Sequence, residues 1–290
     1  MITKDFEYHR PGNLDEACRL LAELPDAQVL AGGTDLLVDI ESGIRRASHV
    51  VSLQGLAGLR RLEEVDGKIS IGSACTARAV ELSPLIQAHF PEIIEVVKVF
   101  ASPQVRTRAT VGGNICGAVA CGDFPVILVA LGAEVELVSR EETRFISMGD
   151  FFIANRKTVR KEDEILTRIL VPKKGPSSSA CYIKFQRRAS NSLAVAGVGC
   201  FLQMEEGSCR TARIVLGAVA PKPLLAAKAS RSLEGKEIND EAITRAAELA
   251  REAARPISDV RGTKEFRREL VLVLTRRAIR QVLERIKDNR

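Results

Sequence analysis

Two double-glycine segments lie eighty residues apart, Gly32-Gly33 and Gly112-Gly113. The first reads Val29-Leu30-Ala31-Gly32-Gly33-Thr34-Asp35-Leu36, the second Ala109-Thr110-Val111-Gly112-Gly113-Asn114-Ile115. In each, an apolar, strand-like approach ends in two glycines and a small polar residue follows. Glycine has no Cβ, so its backbone N–H approaches a ligand closely and its φ is free to turn positive. Consecutive N–H groups in such a turn make a concavity for anions. A single Gly-Gly reads equally well as a tight turn. The pair, with Thr-Asp after one and Asn after the other, points to a phosphate-bearing cofactor held from two sides.

Other constellations carry less. Seven cysteines, at 18, 75, 116, 121, 181, 200 and 209, contain no CxxC. That excludes zinc ribbons and the common ferredoxin patterns, and reduced thiols acting as small hydrophobes fit best. Cys116 and Cys121 follow the second glycine segment but lack two further ligands at cluster spacing. His9, His49 and His89 are far apart in the sequence and make no metal or triad pattern, so no metal site is expected. There is no GxxxxGK[ST], GxGxxG, HExxH, GxSxG or EF-hand loop, and Gly197-Val198-Gly199 lacks the third glycine. The chain reads as a holder of a cofactor, with no catalytic acid–base or nucleophilic centre of its own.

The elements that must position these segments begin with a βαβ pattern. Residues 4–8 read as extended. Asn13-Leu14-Asp15-Glu16 resembles a capping box, and apolar residues at helical spacing run from Leu14 to Leu24 before Pro25 stops them. Ala27 to Ala31 is a short strand running into Gly32, with a brief helical turn beyond, where Asp35 is a candidate cap. Further strands are expected at Val50 to Leu53, Lys68 to Ile71 and Glu134 to Ser139, and helices over 76–82 and 91–100. Pro125 to Leu131 is apolar and fits helix or strand. Val171 to Ser179, rich in Pro, Gly and Ser, reads as a linker. Beyond it three strands (181–187, 194–203, 212–219) and two amphipathic helices (238–254, 263–286) make an α+β unit. The expected domains are 1–176 and 177–290.

The 290 residues are 46% hydrophobic and 28% charged, and the mean hydropathy is +0.02. That describes a globular protein with buried cores, neither disordered nor membrane-spanning. The opening from Met1 to Glu7 has no apolar core of a secretory signal, so a cytoplasmic location is expected. The net charge is +6. Much of it falls in the last helix, at Arg267, Arg268, Arg276, Arg277, Arg280 and Arg285, which reads as a solvated face or a dock for an acidic partner. With aromatics at 4% and no Trp, no base-stacking platform for nucleic acid is expected.

Taken together, Ala31-Gly32-Gly33-Thr34-Asp35-Leu36, Gln104-Val105-Arg106, Ala109 to Ile115 and Asp123 resemble the FAD-binding medium subunit of molybdenum hydroxylases. This is the xanthine dehydrogenase and aerobic carbon monoxide dehydrogenase family. The similarity runs from Phe6-Glu7-Tyr8-His9-Arg10-Pro11, through Asp150-Phe151-Phe152, Glu164-Ile165-Leu166 and Lys184 to Arg188, to Arg255 to Arg261 and Phe266-Arg267. It implies a PCMH-type FAD-binding domain of two α/β subdomains, then a small C-terminal α+β domain with a three-stranded antiparallel sheet. It implies that Val29, Leu30, Ala31, Gly32, Gly33, Thr34, Asp35 and Leu36, with Thr110, Gly112, Gly113 and Asn114, enclose the FAD, chiefly its pyrophosphate. Phe100, Asp123, Leu166 and Lys184 match further cofactor contacts, Asp123 through sugar or ribityl hydroxyls and Lys184 near the flavin.

The resemblance further implies a large molybdopterin-binding partner subunit, which hydroxylates the substrate, and a small [2Fe–2S] partner subunit. Electrons then reach the FAD of this chain and leave for an acceptor such as NAD+. Gly132-Ala133-Glu134 runs straight into strand-like sequence, so the cysteine-rich insertion of 4-hydroxybenzoyl-CoA reductase is not present. Two other readings stay open at this point: a stand-alone flavin oxidoreductase of the same fold, and a structural subunit without flavin.

Overall fold

The computed structural model describes residues 5–188 and 192–288. Met1 to Lys4, part of the opening examined for a leader and of the extended segment expected at 4–8, lie outside the described residues. The chain opens with a three-stranded parallel sheet in the order Glu7–His9, His49–Ser52, Ala27–Leu30. Helix Leu14–Glu23 covers one face, capped by Asn13, whose Oδ1 accepts from the Glu16 N–H at 2.8 Å. Glu16 reaches back to the Gly12 N–H at 2.7 Å, so one orphan donor of the first turn and one N–H just before the cap are satisfied.

A five-stranded antiparallel sheet follows, ordered Leu62–Val65, Lys68–Gly72, Ile165–Pro172, Glu134–Val138, Thr143–Ser147. Its central strand comes late in the sequence and overlaps the expected linker: Val171 and Pro172 pair with Ile69 and Lys68. Strand pairing outweighs the local Pro signal there, because Pro172 ends the strand. Helices Ala77–Leu82, Pro84–His89 and Pro91–Val99 pack over this sheet around Phe90, Ile93 and Val97.

The C-terminal unit has four antiparallel strands, Ser178–Gln186, Ala194–Glu205, Ser208–Gly217 and Leu224–Leu225. The fourth, two residues long, is an addition to the three expected. Helices Ala227–Leu233, Asp240–Ala253 and Lys264–Asp288 cover this sheet.

Pro125 to Leu131 belongs to helix Asp123–Leu131, every residue of which is buried. An all-apolar helix of this kind is buried all round. It packs against helix Pro91–Val99 and against strands Ala194–Glu205 and Ser208–Gly217, joining the C-terminal sheet to the rest. Gly199 and Gly217 admit it. A Cβ at Gly199 would lie 3.0 Å from the Val126 carbonyl oxygen, and one at Gly217 2.6 Å from Val126 Cγ2.

The last helix is not a uniformly solvated basic face. Arg267 is 2% exposed and donates to the Val195 and Ala218 carbonyls and to Asp259. Arg285 holds the Ala180 carbonyl and Glu95. Guanidinium groups held against carbonyls and acids in this way are structural.

Candidate cofactor-binding site

The two glycine segments face each other and are built differently. The first follows the strand-to-helix order of the sequence reading: strand Ala27–Leu30, the glycines, then helix Leu36–Glu41. Gly33 has φ +80°, a conformation that glycine adopts without strain. A Cβ on Gly32 would collide with the Arg108 carbonyl oxygen, so this glycine lets the first segment pack onto the second. Among the described residues, the N–H groups from Gly32 to Leu36 have no backbone acceptor. Asp35 does not cap the helix that follows, because its side chain makes no capping hydrogen bond. Burial, followed by the charge of Asp39, pushes its carboxyl up.

The second segment is not a turn. Gly112 and Gly113 lie in the first turn of helix Val111–Gly117, whose N-cap is Thr110. Its N–H groups already have acceptors within the chain. Val111 donates to the Cys75 carbonyl, Gly112 to that of Ser73, Gly113 to Thr110 Oγ1 and Asn114 to the Thr110 carbonyl. Gly112 serves packing, since a Cβ there would sit 2.6 Å from Ser73. Among the described residues, only the first of the two segments therefore leaves a run of backbone donors without acceptors. The second segment offers side chains.

All the expected site residues except Leu30 line one cavity of about 450 Å3. That size suits a small-molecule or cofactor site, which spans roughly 300–1,000 Å3. Leu30 turns away and packs with Ile40 and Val50. Two polar atoms on the wall, Asn114 Oδ1 and Ser73 Oγ, are buried without a partner among the described residues. Buried polar atoms are nearly always paired, so this wall suits a ligand rich in donors and acceptors.

Asp123 and Lys184 form a buried pair on the same wall. Lys184 Nζ lies 2.9 Å from Asp123 Oδ2 and donates to the Val99 carbonyl at 3.1 Å. The Tyr182 hydroxyl donates to Asp123 Oδ1 at 2.7 Å. Burial pushes the Asp123 carboxyl up, while Lys184 and Tyr182 pull it down. Gly197 leaves room for this arrangement, since a Cβ there would lie 2.8 Å from the Tyr182 hydroxyl. Phe100 stacks edge-on against Phe124 at 5.3 Å. Leu166 lies at a bulge in the central strand, where the register shifts between Leu166 and Arg168.

Sequence reasoning missed three cations on this wall: Arg45, Arg156 and Arg160. Arg156 holds Asp39 through both guanidinium nitrogens, at 2.5 and 3.2 Å. Arg160 is turned back onto the carbonyls of Lys161, Glu162 and Glu164. No local spacing marks these residues. The one trace is Asn155-Arg156-Lys157, a polar turn in which Arg156 takes φ +61°.

Fold and cavity together define a cofactor-holding protein whose site is walled by two glycine segments and closed by a strand of the C-terminal sheet. Residues 4–174 match the family described as FAD binding domain in molybdopterin dehydrogenase, and residues 180–282 match the CO dehydrogenase flavoprotein C-terminal domain. The carbon monoxide dehydrogenase medium chain of Afipia carboxidovorans is 32% identical over 289 residues, covering 99% of this chain and 100% of that one. The xanthine dehydrogenase FAD-binding subunit of Escherichia coli O157:H7 is 29% identical over 278 residues, with 95% of each chain covered. A solved carbon monoxide dehydrogenase from Hydrogenophaga pseudoflava superposes with a TM-score of 0.95 at 31% identity, covering 98% of this chain and 99% of its own. The chain belongs to the family of FAD-binding medium subunits of molybdenum hydroxylases, and it is an oxidoreductase component by that membership. Among the described residues no helix is long and apolar enough to cross a membrane.

Proposed function

We propose that this chain holds FAD in a complex with a large molybdopterin-binding subunit and a small [2Fe–2S] subunit, and that it passes electrons to an acceptor such as NAD+. The observation that carries the reading is a cavity walled by both glycine segments, with Asn114 Oδ1 and Ser73 Oγ buried there without partners among the described residues. Within this reading the domains are 1–176 and 177–290. A cytoplasmic setting belongs to it as well, supported by seven cysteines that are all free thiols.

The residues divide the work by their chemistry. The N–H groups from Gly32 to Leu36, which have no backbone acceptor among the described residues, suit diphosphate oxygens, and Arg45 and Arg156 add positive charge to the same wall. Asn114 and Ser73 suit hydroxyls or ring amides. Phe100 and Leu166 supply apolar surface. When bound, FAD supplies the redox chemistry that links one-electron clusters to a two-electron acceptor. Lys184, fixed by Asp123 and the Val99 carbonyl, would supply a cation on the cavity wall that favours the electron-rich form of a bound flavin. Three buried acids of the wall, Asp39, Asp123 and Glu164, are each committed to a cation.

The absorption spectrum of the purified chain tests the binding. Flavin bands at one FAD per chain are expected, and Gly33→Val, strained at φ +80°, is expected to lose them while staying folded. A folded wild-type chain that takes up no flavin would refute the reading. Molybdenum and iron co-purifying with the chain from its native host test the partners.

A further inference from the structure

The structure brings together two of the three histidines that sequence spacing had left apart. Glu7 and His9 sit two residues apart on the first strand, so their side chains share a face. Parallel pairing sets His49 opposite Glu7. His9 Nε2 lies 3.1 Å from His49 Nδ1, His49 Nδ1 lies 3.5 Å from Glu7 Oε2, and His9 Nε2 lies 3.9 Å from Glu7 Oε1. One ligand atom from each residue falls within 4.8 Å of the others, the one such group among the described residues.

We propose that Glu7, His9 and His49 form a binding site for a zinc-class divalent cation, separate from the flavin cavity. Zinc takes imidazole nitrogen and carboxylate oxygen at ~2.0–2.2 Å in a tetrahedron, which sets neighbouring ligand atoms about 3.3 Å apart. The His9–His49 separation of 3.1 Å and the His49–Glu7 Oε2 separation of 3.5 Å bracket that edge. Two imidazoles with one carboxylate is a donor set that zinc and its neighbours in the transition series accept, and it does not suit magnesium or calcium. The imidazole side chains are only 16% and 18% exposed, so the fold orients them before any ion arrives, while the carboxylate side chain is 68% exposed and leaves a path from solvent. Three protein ligands leave the fourth position to water.

A cation would clamp the three-residue first strand to the central strand of the parallel sheet. On that face, two residues beyond His49, Val51 already packs under helix Leu14–Glu23.

The test is calorimetric titration of Zn2+ into the chelator-treated full chain carrying its flavin, with excess Mg2+ present. One Zn2+ per chain is expected, at micromolar affinity or tighter. His9→Ala and His49→Ala should each weaken binding more than about a hundredfold, beyond the ~10–100-fold that changes outside the ligand set cause. Glu7→Gln, a change at an exposed position, should weaken it less, and His89→Ala should leave it intact. Flavin content should stay at the wild-type level in every variant, which shows that the chain is folded and the cavity is unaffected. Zn2+ should raise the melting temperature of the wild type and not of the histidine variants. No binding by the wild type, or unchanged binding by the His9→Ala/His49→Ala double variant, which would place the ion on the cysteines, overturns the proposal.

Discussion

At the scale of single residues, the wall of the cavity separates groups that hold the protein from groups that await a ligand. Asn114 Oδ1 is buried and has no partner among the described residues, so it makes no hydrogen bond there that would hold the fold. Asn114→Ala is therefore expected to leave the melting temperature unchanged or slightly higher. It should weaken FAD binding by about tenfold to a hundredfold, the ~1–3 kcal/mol of one buried hydrogen bond. Equilibrium binding by flavin fluorescence, beside a melting curve, checks both halves. Asp123 is the opposite case. Both of its oxygens are engaged, by Tyr182 and Lys184, and it is 5% exposed. Asp123→Ala leaves a buried ammonium uncompensated, and breaking such a pair costs about 3–5 kcal/mol. A large fall in denaturation midpoint is expected, with much of it recovered in the Asp123→Ala/Lys184→Met double variant. An alanine variant as stable as wild type would show that the pair is not structural.

Elements decide where these residues point, and here the sequence was legible in part. Periodicity and caps located the opening βαβ unit and helix Pro91–Val99, each of which buries one face, and the long strands of the C-terminal sheet were legible as well, although Ala194–Glu205 is buried along its first nine residues. The central strand Ile165–Pro172 was hidden, since its neighbours in the sheet lie some thirty to one hundred residues back in the sequence and it merges with a Pro/Gly-rich tail. The second glycine segment was misread as a turn because a Gly-Gly signal does not reveal that Thr110 caps a helix there and consumes the N–H groups. The same strand carries a testable pH effect through Glu164, just before it. Burial alone would raise the Glu164 carboxyl, but paired hydrogen bonds from Arg144 and one from the Lys161 N–H hold it below its ordinary value of 4.5. A carboxylate with a depressed folded value stabilises the protein above its unfolded value, and that stability is lost as pH falls through the folded one. Melting temperature should decline as pH drops below about 4.5, and Glu164→Gln should lower it at neutral pH and flatten the acid limb. Arg106 sets the adjoining loop. Its guanidinium holds the carbonyls of Lys98, Phe100 and Ala101, although it does not line the cavity. Arg106→Met should release Phe100 and weaken flavin retention about tenfold, roughly the ~1.5–3 kcal/mol of one such charged hydrogen bond, read by dialysis against free FAD.

Across the whole molecule, helix Asp123–Leu131 couples the C-terminal sheet to the flavin cavity. Its first residue is the acid of the cavity wall, and Val126, one turn later, lies against Gly199 and Gly217. Lys184 comes from the same sheet, so any shift of sheet against helix separates Asp123 from Lys184. Neither Gly199 nor Gly217 lines the cavity. Gly217→Val would put its Cβ 2.6 Å from Val126 Cγ2, and a closely packed interior yields to such an intrusion at a cost of about 1–3 kcal/mol. The expected outcome is a folded chain with a lower melting temperature and reduced flavin content. Gly207→Val supplies the control. Gly207 lies in a hairpin turn at φ +84° with open space around a Cβ, so backbone strain destabilises that variant without disturbing the helix. If the two variants lose stability equally but only Gly217→Val loses flavin, the cavity depends on how the two halves dock. Equal flavin loss in both would mean that retention tracks global stability alone.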